Sequence, residues 1–194
     1  MRKSALFLDR DGVVNEDLGY VHRKEDFRFI KGIFNLCRAA KSSGMSVIIV
    51  TNQAGIGRGY FTEEQFHCLT EWMLERFERE YITIDGVYYC PFHPKHGKGS
   101  YKRNSNDRKP RPGMIYRARD EHSLDLSSSV LIGDKESDIE AARNACIGTA
   151  VLFSKHYKQH MCSPDIMVSC LDKLTELLQR YKNLNVVSTD FFKI

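Results

Sequence analysis

This sequence of 194 residues lacks an apolar run long enough to cross a membrane. Its start, MRKSALFLDRDG, carries two basic residues but only a short apolar run at residues 5–8 before Asp9. That run is shorter than the apolar segment of a signal peptide. We therefore expect a cytoplasmic protein that has no membrane partner.

The cysteines form no C-x-x-C pair, the spacing typical of zinc ribbons and of thioredoxin-like redox sites. In a reducing compartment, cysteine side chains stay unpaired. We therefore expect six free thiols, at Cys37, Cys68, Cys90, Cys146, Cys162 and Cys170.

Several binding signatures are also missing. No G-x-x-x-x-G-K-[ST] motif occurs, and GIGRG at residues 55–59 lacks the G-x-G-x-x-G spacing, so we interpret it as a flexible substrate loop. The glycine in DRDG at residues 9–12 comes too early for an EF-hand. The formal charge of +4 is too low for a protein that coats nucleic acid. We expect a small anionic substrate and no nucleic-acid partner.

The sequence does contain an alternation of apolar runs and helical patterns. The predicted strands are SALFLD, MSVIIVTN, IDGVYYCP, SSVLIGD, TAVLF and the start of DIMVSCLDKLTELLQRY. Among the helices between them, one ends at Gly44 and another begins at a Thr62–Gln65 capping box. This order predicts an α/β fold with a parallel, doubly wound sheet. We expect one domain at residues 1–182 and an unassigned tail at 183–194.

Polar side chains follow the predicted strands at the point where each strand ends. In an open parallel sheet, ligands bind outside the carboxyl ends of the strands. We therefore expect one crevice to collect the residues at these ends and before the fourth helix, namely Asp9, Asp11, Thr51, Asn52, Asp134, Lys135 and Lys109.

Asp9 and Asp11 would share one face of a strand, where their charges repel. Either a nearby cation offsets this repulsion or one carboxylate holds a proton. With Asp134 they form an oxygen-rich site that suits Mg²⁺ and a phosphate oxygen. Asp9 can then attack phosphorus while Asp11 acts as acid and base, which predicts hydrolysis of a phosphomonoester. The groups expected to contact the phosphoryl oxygens are Thr51, Asn52 and Lys109.

Some features have two interpretations. Asp138 either caps its helix or orients groups near the metal. The basic stretch at residues 102–111 is, by charge alone, typical of a solvated loop. A receiver-type signalling domain also phosphorylates an aspartate, but it would need an acid after VIIVTN, and none follows.

Four segments resemble the motifs of the haloacid dehalogenase-like phosphatases: FLDRDGVVN, VIIVTNQAGIGRG, DRKPRPGM and LIGDKESDIEAA. More closely, these four motifs resemble the group that holds heptose bisphosphate and histidinol-phosphate phosphatases. Within that group, the segments GYVHRKEDFRFIKG, FTEEQFHCLTEWM and DGVYYCPFHP resemble the heptose bisphosphate phosphatases. The resemblance runs from about residue 5 to about residue 181.

This resemblance implies a Rossmann-like core without a large cap, and dependence on Mg²⁺. It makes Asp9 the nucleophile, Asp11 the acid and base, and Asp134 the third metal ligand beside both. It also implies that Thr51 and Lys109 hold the transferring phosphoryl group. The residues expected to bind substrate are Asp17, Leu18, Gly19, Tyr20, Thr51, Asn52, Gln53, Ala54, Arg108, Lys109 and Lys135.

The group suggests removal of the C7 phosphate of D-glycero-D-manno-heptose 1,7-bisphosphate, in nucleotide-heptose synthesis. A second phosphate needs a second cationic contact, for which the candidates are Arg58, Arg108, Arg111 and Lys135. Histidinol phosphate is the alternative substrate, although its amine and imidazole would favour an acidic crevice. A polynucleotide 3′-phosphatase would need aromatic residues among the basic ones, and Tyr101 is the only Phe, Tyr or Trp among the lysines and arginines at residues 95–111.

Many members of this group carry a structural zinc in the loop after the third strand, on a C-x-H pair and a later C-x-C pair. This sequence keeps Cys90 but has Phe92, Ser105 and Asp107 at the other three positions. Structural zinc sites are closed sets of nitrogen and sulfur ligands. We therefore expect no zinc, even though His93 and His96 are near, and a loop held by its own packing.

Overall fold

The computed structural model describes residues 2–154 and 163–183. Within these residues, six strands pair in parallel in the order β3-β2-β1-β4-β5-β6. The strands are β1 Ala5–Leu8, β2 Ser46–Asn52, β3 Gly86–Cys90, β4 Val130–Gly133, β5 Thr149–Phe153 and β6 Ile166–Val168. The predicted parallel sheet is confirmed, and every predicted strand is present.

Within the same described residues, five α-helices lie between strands and a sixth follows β6. They are α1 Ile33–Ser42, α2 Ala54–Arg58, α3 Glu63–Arg79, α4 Gly113–His122, α5 Glu136–Asn144 and α6 Leu171–Asn183. The Thr62–Gln65 capping box is present at the start of α3, and Gly44 follows α1 with a φ of +79°, as predicted. None of the described helices is both long and apolar enough to span a membrane.

Alternation along β1 explains why helices cover both faces of the sheet. Leu6 and Leu8 belong to a core shared with α1, α3 and α6, whereas Ala5 and Phe7 belong to a core shared with α4 and α5. Successive residues of a strand point to opposite faces, so an apolar run without polar interruption is stable only where both faces are covered. Each large side chain buried in this way contributes about 1.5–3 kcal/mol.

The strand order places a switch point beside β1. The chain runs from β1 outward to β2 and β3, then returns to place β4 on the other side of β1. Connections that diverge in this way leave a crevice at the carboxyl ends of the two central strands. Asp9 follows β1 and Asp134 follows β4, so both residues lie at this crevice.

The predicted loop at residues 55–59 is wrong, because residues 54–58 form the short helix α2. Its glycines serve close packing. A Cβ on Gly55 would lie 2.2 Å from the Phe61 ring, and one on Gly57 would lie 2.4 Å from the carbonyl oxygen of Pro91. Any larger residue would therefore push α2 away from its neighbours.

Two predictions reach beyond the described residues. The tail at 184–194 and Cys162 lie outside them, so the boundary at residue 182 and the state of that cysteine stay predictions. The other five cysteines are free thiols, as predicted.

Candidate active site

Most of the predicted site residues line one crevice of about 550 Å³ at the switch point. Its walls include Asp9, Asp11, Asp17, Gly19, Tyr20, Thr51, Asn52, Gln53, Ala54, Arg108, Lys109 and Lys135. Leu18 and Asp134 line a neighbouring hollow of about 370 Å³, which shares Asp17 with the crevice. The crevice also contains Arg58, which the sequence offered as a candidate for the second cationic contact, and Asp138, whose role the sequence left open.

Lys109 is buried at the floor of the crevice, with a side-chain exposure of 2%. Its Nζ donates to the carbonyl oxygen of Val50 at 2.8 Å and lies 2.9 Å from Asp9 Oδ1 and 2.7 Å from Asp138 Oδ1. Burial alone would lower the pKa of Lys109, but the two carboxylates raise it above its usual value. The ammonium therefore stays charged although its side chain is almost fully buried.

Asn52, at the end of β2, fixes the main chain of Lys109. Its Oδ1 accepts from the backbone N–H of Lys109 at 3.1 Å, and its Nδ2 donates to the carbonyl oxygen of the same residue at 3.1 Å. The sequence predicts that Asn52 donates to phosphoryl oxygens, and that role stays a prediction. The structure gives Asn52 a positioning role, because it holds in place the segment that delivers the lysine.

Asp9 is 5% exposed, and burial raises its pKa to about 7. Lys109 opposes this increase, while the nearby carboxylates of Asp138 and Asp134 add to it. Asp9 Oδ1 also accepts from the backbone N–H of Arg10 at 2.7 Å. Both donors engage Oδ1, so Oδ2 is the oxygen that remains for other chemistry.

Asp138 fills the capping role that the sequence left open, and its role near a metal stays a prediction. Its Oδ2 accepts from the backbone N–H of Lys135 at 3.0 Å and so caps α5, while its Oδ1 pairs with Lys109. It is 1% exposed. The close approach of Gly133 secures its position, because a Cβ there would lie 2.1 Å from the Asp138 Cβ.

Three carboxylates converge closely enough to share a metal ion. Ligand oxygens of Asp9, Asp134 and Asp138 lie within 4.8 Å of one another. Asp134 Oδ1 is buried and has no hydrogen-bond partner in the part of the chain that the structure describes, and burial raises the pKa of Asp134 to about 6. An orphaned carboxylate oxygen among three acids suits a hard divalent cation such as Mg²⁺. The residues present therefore fit the ion that the sequence predicts.

Asp11 was predicted to be a metal ligand, but its side chain does not belong to this group of three carboxylates. Its carboxylate accepts from Arg10 Nη2 at 2.9 Å, from Asn15 Nδ2 at 3.0 Å and from Gln53 Nε2 at 2.9 Å. A metal contact by its side chain stays a prediction. Gln53 Nε2 also donates to Thr51 Oγ1 at 2.9 Å, and so links two of the predicted catalytic residues.

Two cations resolve the expected repulsion between Asp9 and Asp11. Lys109 pairs with Asp9, and the fully buried Arg10 pairs with Asp11. Arg10 Nη2 also donates to the carbonyl oxygen of Val21 at 2.7 Å, just after the predicted substrate segment 17–20. The sequence argument gave such a cation as one of two alternatives and did not identify this arginine, although it stands between the two acids.

The mouth of the crevice combines cations with aromatic rings. Lys135 Nζ lies 2.9 Å from Asp17 Oδ2, and the backbone N–H of Gly19 donates to Asp17 Oδ1. The Arg58 guanidinium lies 5.7 Å from the centre of the Tyr20 ring, within range of a cation–π contact. Burial lowers the pKa of Arg108, and the nearby positive charge of Arg58 lowers it further.

Comparisons with known proteins agree with this geometry. A model of the HAD-hydrolase-like family matches residues 106–174. The D-glycero-alpha-D-manno-heptose-1,7-bisphosphate 7-phosphatase of Burkholderia mallei is 56% identical over 152 residues, which cover 78% of this chain and 80% of that protein. The D-glycero-beta-D-manno-heptose-1,7-bisphosphate 7-phosphatase of Vibrio cholerae is 49% identical, with 78% and 82% covered.

Solved structures share the fold. A protein from Mesorhizobium loti described as HAD-like superposes with a TM-score of 0.82 at 31% identity, covering 92% of this chain and 87% of that one. A D,D-heptose 1,7-bisphosphate phosphatase from B. bronchiseptica, complexed with magnesium and phosphate, gives a TM-score of 0.81 at 24% identity, covering 91% and 98%. Since the curated relatives match over more than three quarters of its length, the chain belongs to the heptose-1,7-bisphosphate 7-phosphatase family of haloacid dehalogenase-like phosphatases and is a phosphomonoester hydrolase.

Proposed function

We propose that this enzyme removes the C7 phosphate of D-glycero-D-manno-heptose 1,7-bisphosphate, depends on Mg²⁺ and proceeds through an aspartyl-phosphate on Asp9. The observation that carries the proposal is the cluster of Asp9, Asp134 and Asp138 around Lys109, beneath a mouth that holds Arg58 and Arg108. The first four groups suit phosphoryl transfer, and the two arginines suit a second anionic group.

Asp9, Asp134 and Asp138 would hold Mg²⁺, which when bound offsets the negative charge of the phosphoryl group. In the first step, Asp9 Oδ2 attacks phosphorus and the bond from phosphorus to the C7 oxygen breaks. Asp11 gives its proton to that oxygen, which leaves as the sugar hydroxyl. Arg10, Asn15 and Gln53 orient the Asp11 carboxylate for this transfer.

In the second step, a water oxygen attacks phosphorus and Asp11 takes the proton of that water. The bond from phosphorus to Asp9 Oδ2 breaks, which restores the carboxylate and releases inorganic phosphate. Lys109 keeps its contact with Asp9 Oδ1 throughout, so its positive charge stays beside the phosphoryl group in both steps.

A bisphosphate fits the mouth better than histidinol phosphate does. Arg58, Arg108 and Lys135 line the crevice, and Asp17 beside Lys135 is already engaged by that lysine. Arg111, the fourth candidate, is absent from the crevice lining; its Nη1 donates to the carbonyl oxygen of Ser105 at 3.5 Å. A cationic rim favours a second phosphate and disfavours an amine.

Phosphate release from a substrate panel tests the proposal. The panel contains both anomers of heptose 1,7-bisphosphate, heptose 1-phosphate and histidinol phosphate, each with and without Mg²⁺. We expect the bisphosphates to react fastest and ³¹P NMR to identify heptose 1-phosphate as the product. Faster cleavage of histidinol phosphate would assign the alternative function. The same proposal includes a role in nucleotide-heptose and lipopolysaccharide synthesis. It also includes a cytoplasmic location and the absence of nucleic-acid and membrane partners.

The proposal also includes a loop that lacks zinc. The Cys90 thiol interacts with Ser105 and Asp107. Residues 90, 92, 105 and 107, the positions of the zinc ligands in the resembling proteins, therefore lie close together, but only Cys90 among them supplies a thiol. The His93 and His96 rings lie 4.7 Å apart. Elemental analysis of protein purified without chelator tests this point, and one zinc per chain that is lost in Cys90→Ser would contradict it.

A further inference from the structure

A carboxylate outside the crevice joins three parts of the chain. Glu63 Oε1 accepts from the Tyr101 hydroxyl at 2.6 Å, and Oε2 accepts from the Tyr89 hydroxyl at 2.7 Å. Glu63 begins α3, Tyr89 lies in β3, and Tyr101 ends the 3₁₀ turn Gly99–Tyr101. Hydrogen bonds to an ionised acceptor are the strong ones, and these two hold the pKa of Glu63 below its usual value.

Tyr101 in turn supports residues 92–108, here called the basic loop. The carbonyl oxygen of Tyr101 accepts from the backbone N–H of His93 at 3.1 Å, and its ring packs 6.0 Å from the ring of Phe92. The carbonyl oxygen of Phe92 accepts from Arg108 Nη1 at 3.3 Å. Phe92 therefore contacts both Tyr101 and the Arg108 guanidinium and links the two residues.

The same turn also rests on α2, which ends at Arg58. The backbone N–H of Lys98 donates to the carbonyl oxygen of Gly57 at 2.8 Å. A Cβ on Gly57 would lie 2.4 Å from the Pro91 carbonyl oxygen and 3.1 Å from Tyr101 Cβ. The turn therefore contacts the helix that carries one crevice arginine and the loop that carries the other.

We infer that Glu63, acting through Tyr101, is a positioning residue that holds Arg58 and Arg108 at the crevice mouth and thereby sets affinity for a second anionic group on the substrate. It takes no part in phosphoryl transfer, because its hydrogen bonds run to two tyrosines outside the crevice lining. The inference rests on the proposed function, since a second phosphate is the group that these arginines would bind.

Two tyrosine variants separate positioning from simple stability. Tyr101→Phe removes the hydrogen bond between the basic loop and Glu63. Tyr89→Phe, the matched control on β3, removes the other tyrosine hydrogen bond of the same carboxylate. For Tyr101→Phe we expect KM for heptose 1,7-bisphosphate to rise about five- to tenfold with kcat retained. The kcat/KM for p-nitrophenyl phosphate, which has no second phosphate, should not change. Tyr89→Phe should match the parent enzyme in every assay.

Limited trypsin digestion reports on the basic loop without any substrate. Tyr101→Phe should be cut faster within residues 92–108 than the parent and Tyr89→Phe. An unchanged KM for the bisphosphate in Tyr101→Phe, or equal effects of the two variants, would overturn the inference. If the parent itself shows no preference for the bisphosphate over p-nitrophenyl phosphate, the proposed function fails and the link to anion affinity fails with it. The trypsin comparison then decides separately whether Tyr101 holds the loop.

Discussion

Replacing Gly12 with alanine is expected to abolish the response to Mg²⁺ while the fold is kept. Gly12 has a φ of +100°, and a Cβ there would lie 2.3 Å from both Cγ and Oδ2 of Asp134. Non-bonded carbon atoms approach to about 3.5 Å, so the carboxyl group must move by roughly 1 Å. That displacement separates Asp134 from the carboxylates of Asp9 and Asp138.

Gly44 offers a matched control. It has a φ of +79°, but apart from its chain neighbours no atom of the described residues lies within 4 Å of the position of its Cβ. Gly44→Ala therefore carries the backbone strain of a left-handed residue, about 1–2 kcal/mol, without the collision. In a domain of this size, each 1 kcal/mol lowers the melting temperature by about 2–4 °C. Both variants should lose a few degrees, and only Gly12→Ala should lose the metal site.

Two assays distinguish the variants. We expect Mg²⁺ to raise the melting temperature of the parent and of Gly44→Ala but not of Gly12→Ala. Because a misplacement of 1 Å near the reacting atoms costs about 10²-fold in rate, hydrolysis of p-nitrophenyl phosphate should fall by that factor in Gly12→Ala alone. Parental Mg²⁺ affinity and rate in Gly12→Ala would show that Asp134 is not a ligand at the position described.

The remaining predictions concern the acids themselves. Asp9→Asn should reduce phosphate release to background while circular dichroism is unchanged, and near-normal release would remove Asp9 as the nucleophile. Asp11→Asn should be slowed severely, and a parental rate would require another acid. Burial raises the pKa of Asp9 to about 7, so the stability associated with its protonated form is present below about pH 4 and is lost as pH rises through 7. Mg²⁺ should therefore raise the melting temperature more at pH 8 than at pH 5, and equal shifts would contradict the buried three-acid site.

The sheet and the residues at its strand ends were predictable because both follow from local patterns. Unbroken apolar runs require two covered faces, and the carboxyl ends of parallel strands meet at one edge. That reasoning located Asp9, Thr51 and Asp134 correctly at the switch point. It also predicted Lys109 as the cation for the phosphoryl group, although its position 57 residues after Asn52 gives no local sign of the contact between them.

The rest of the site depends on contacts that no local pattern encodes. The pairing of Arg10 with Asp11 and the carbonyl of Val21 requires the turn that follows β1 to fold back on itself. Gly55 and Gly57 suggested a flexible loop in the sequence, but in the structure they permit close packing against Phe61 and Pro91. Asp138 was predictable as part of the site, because an acid that caps α5 only four residues after Asp134 must lie near the same strand end.

Charge balance at the floor of the crevice has a consequence for which ions the site accepts. When all three carboxylates are ionised, they and the Lys109 ammonium leave two negative charges, which one divalent cation would balance. An approaching phosphate ester then meets a neutral floor, whereas a monovalent ion would leave a residual negative charge that repels it. Ca²⁺ would balance the charge as completely as Mg²⁺ does. We therefore expect any discrimination between these two ions to come from ionic radius and coordination number, which depend on how closely Gly12 and Gly133 let Asp134 and Asp138 approach.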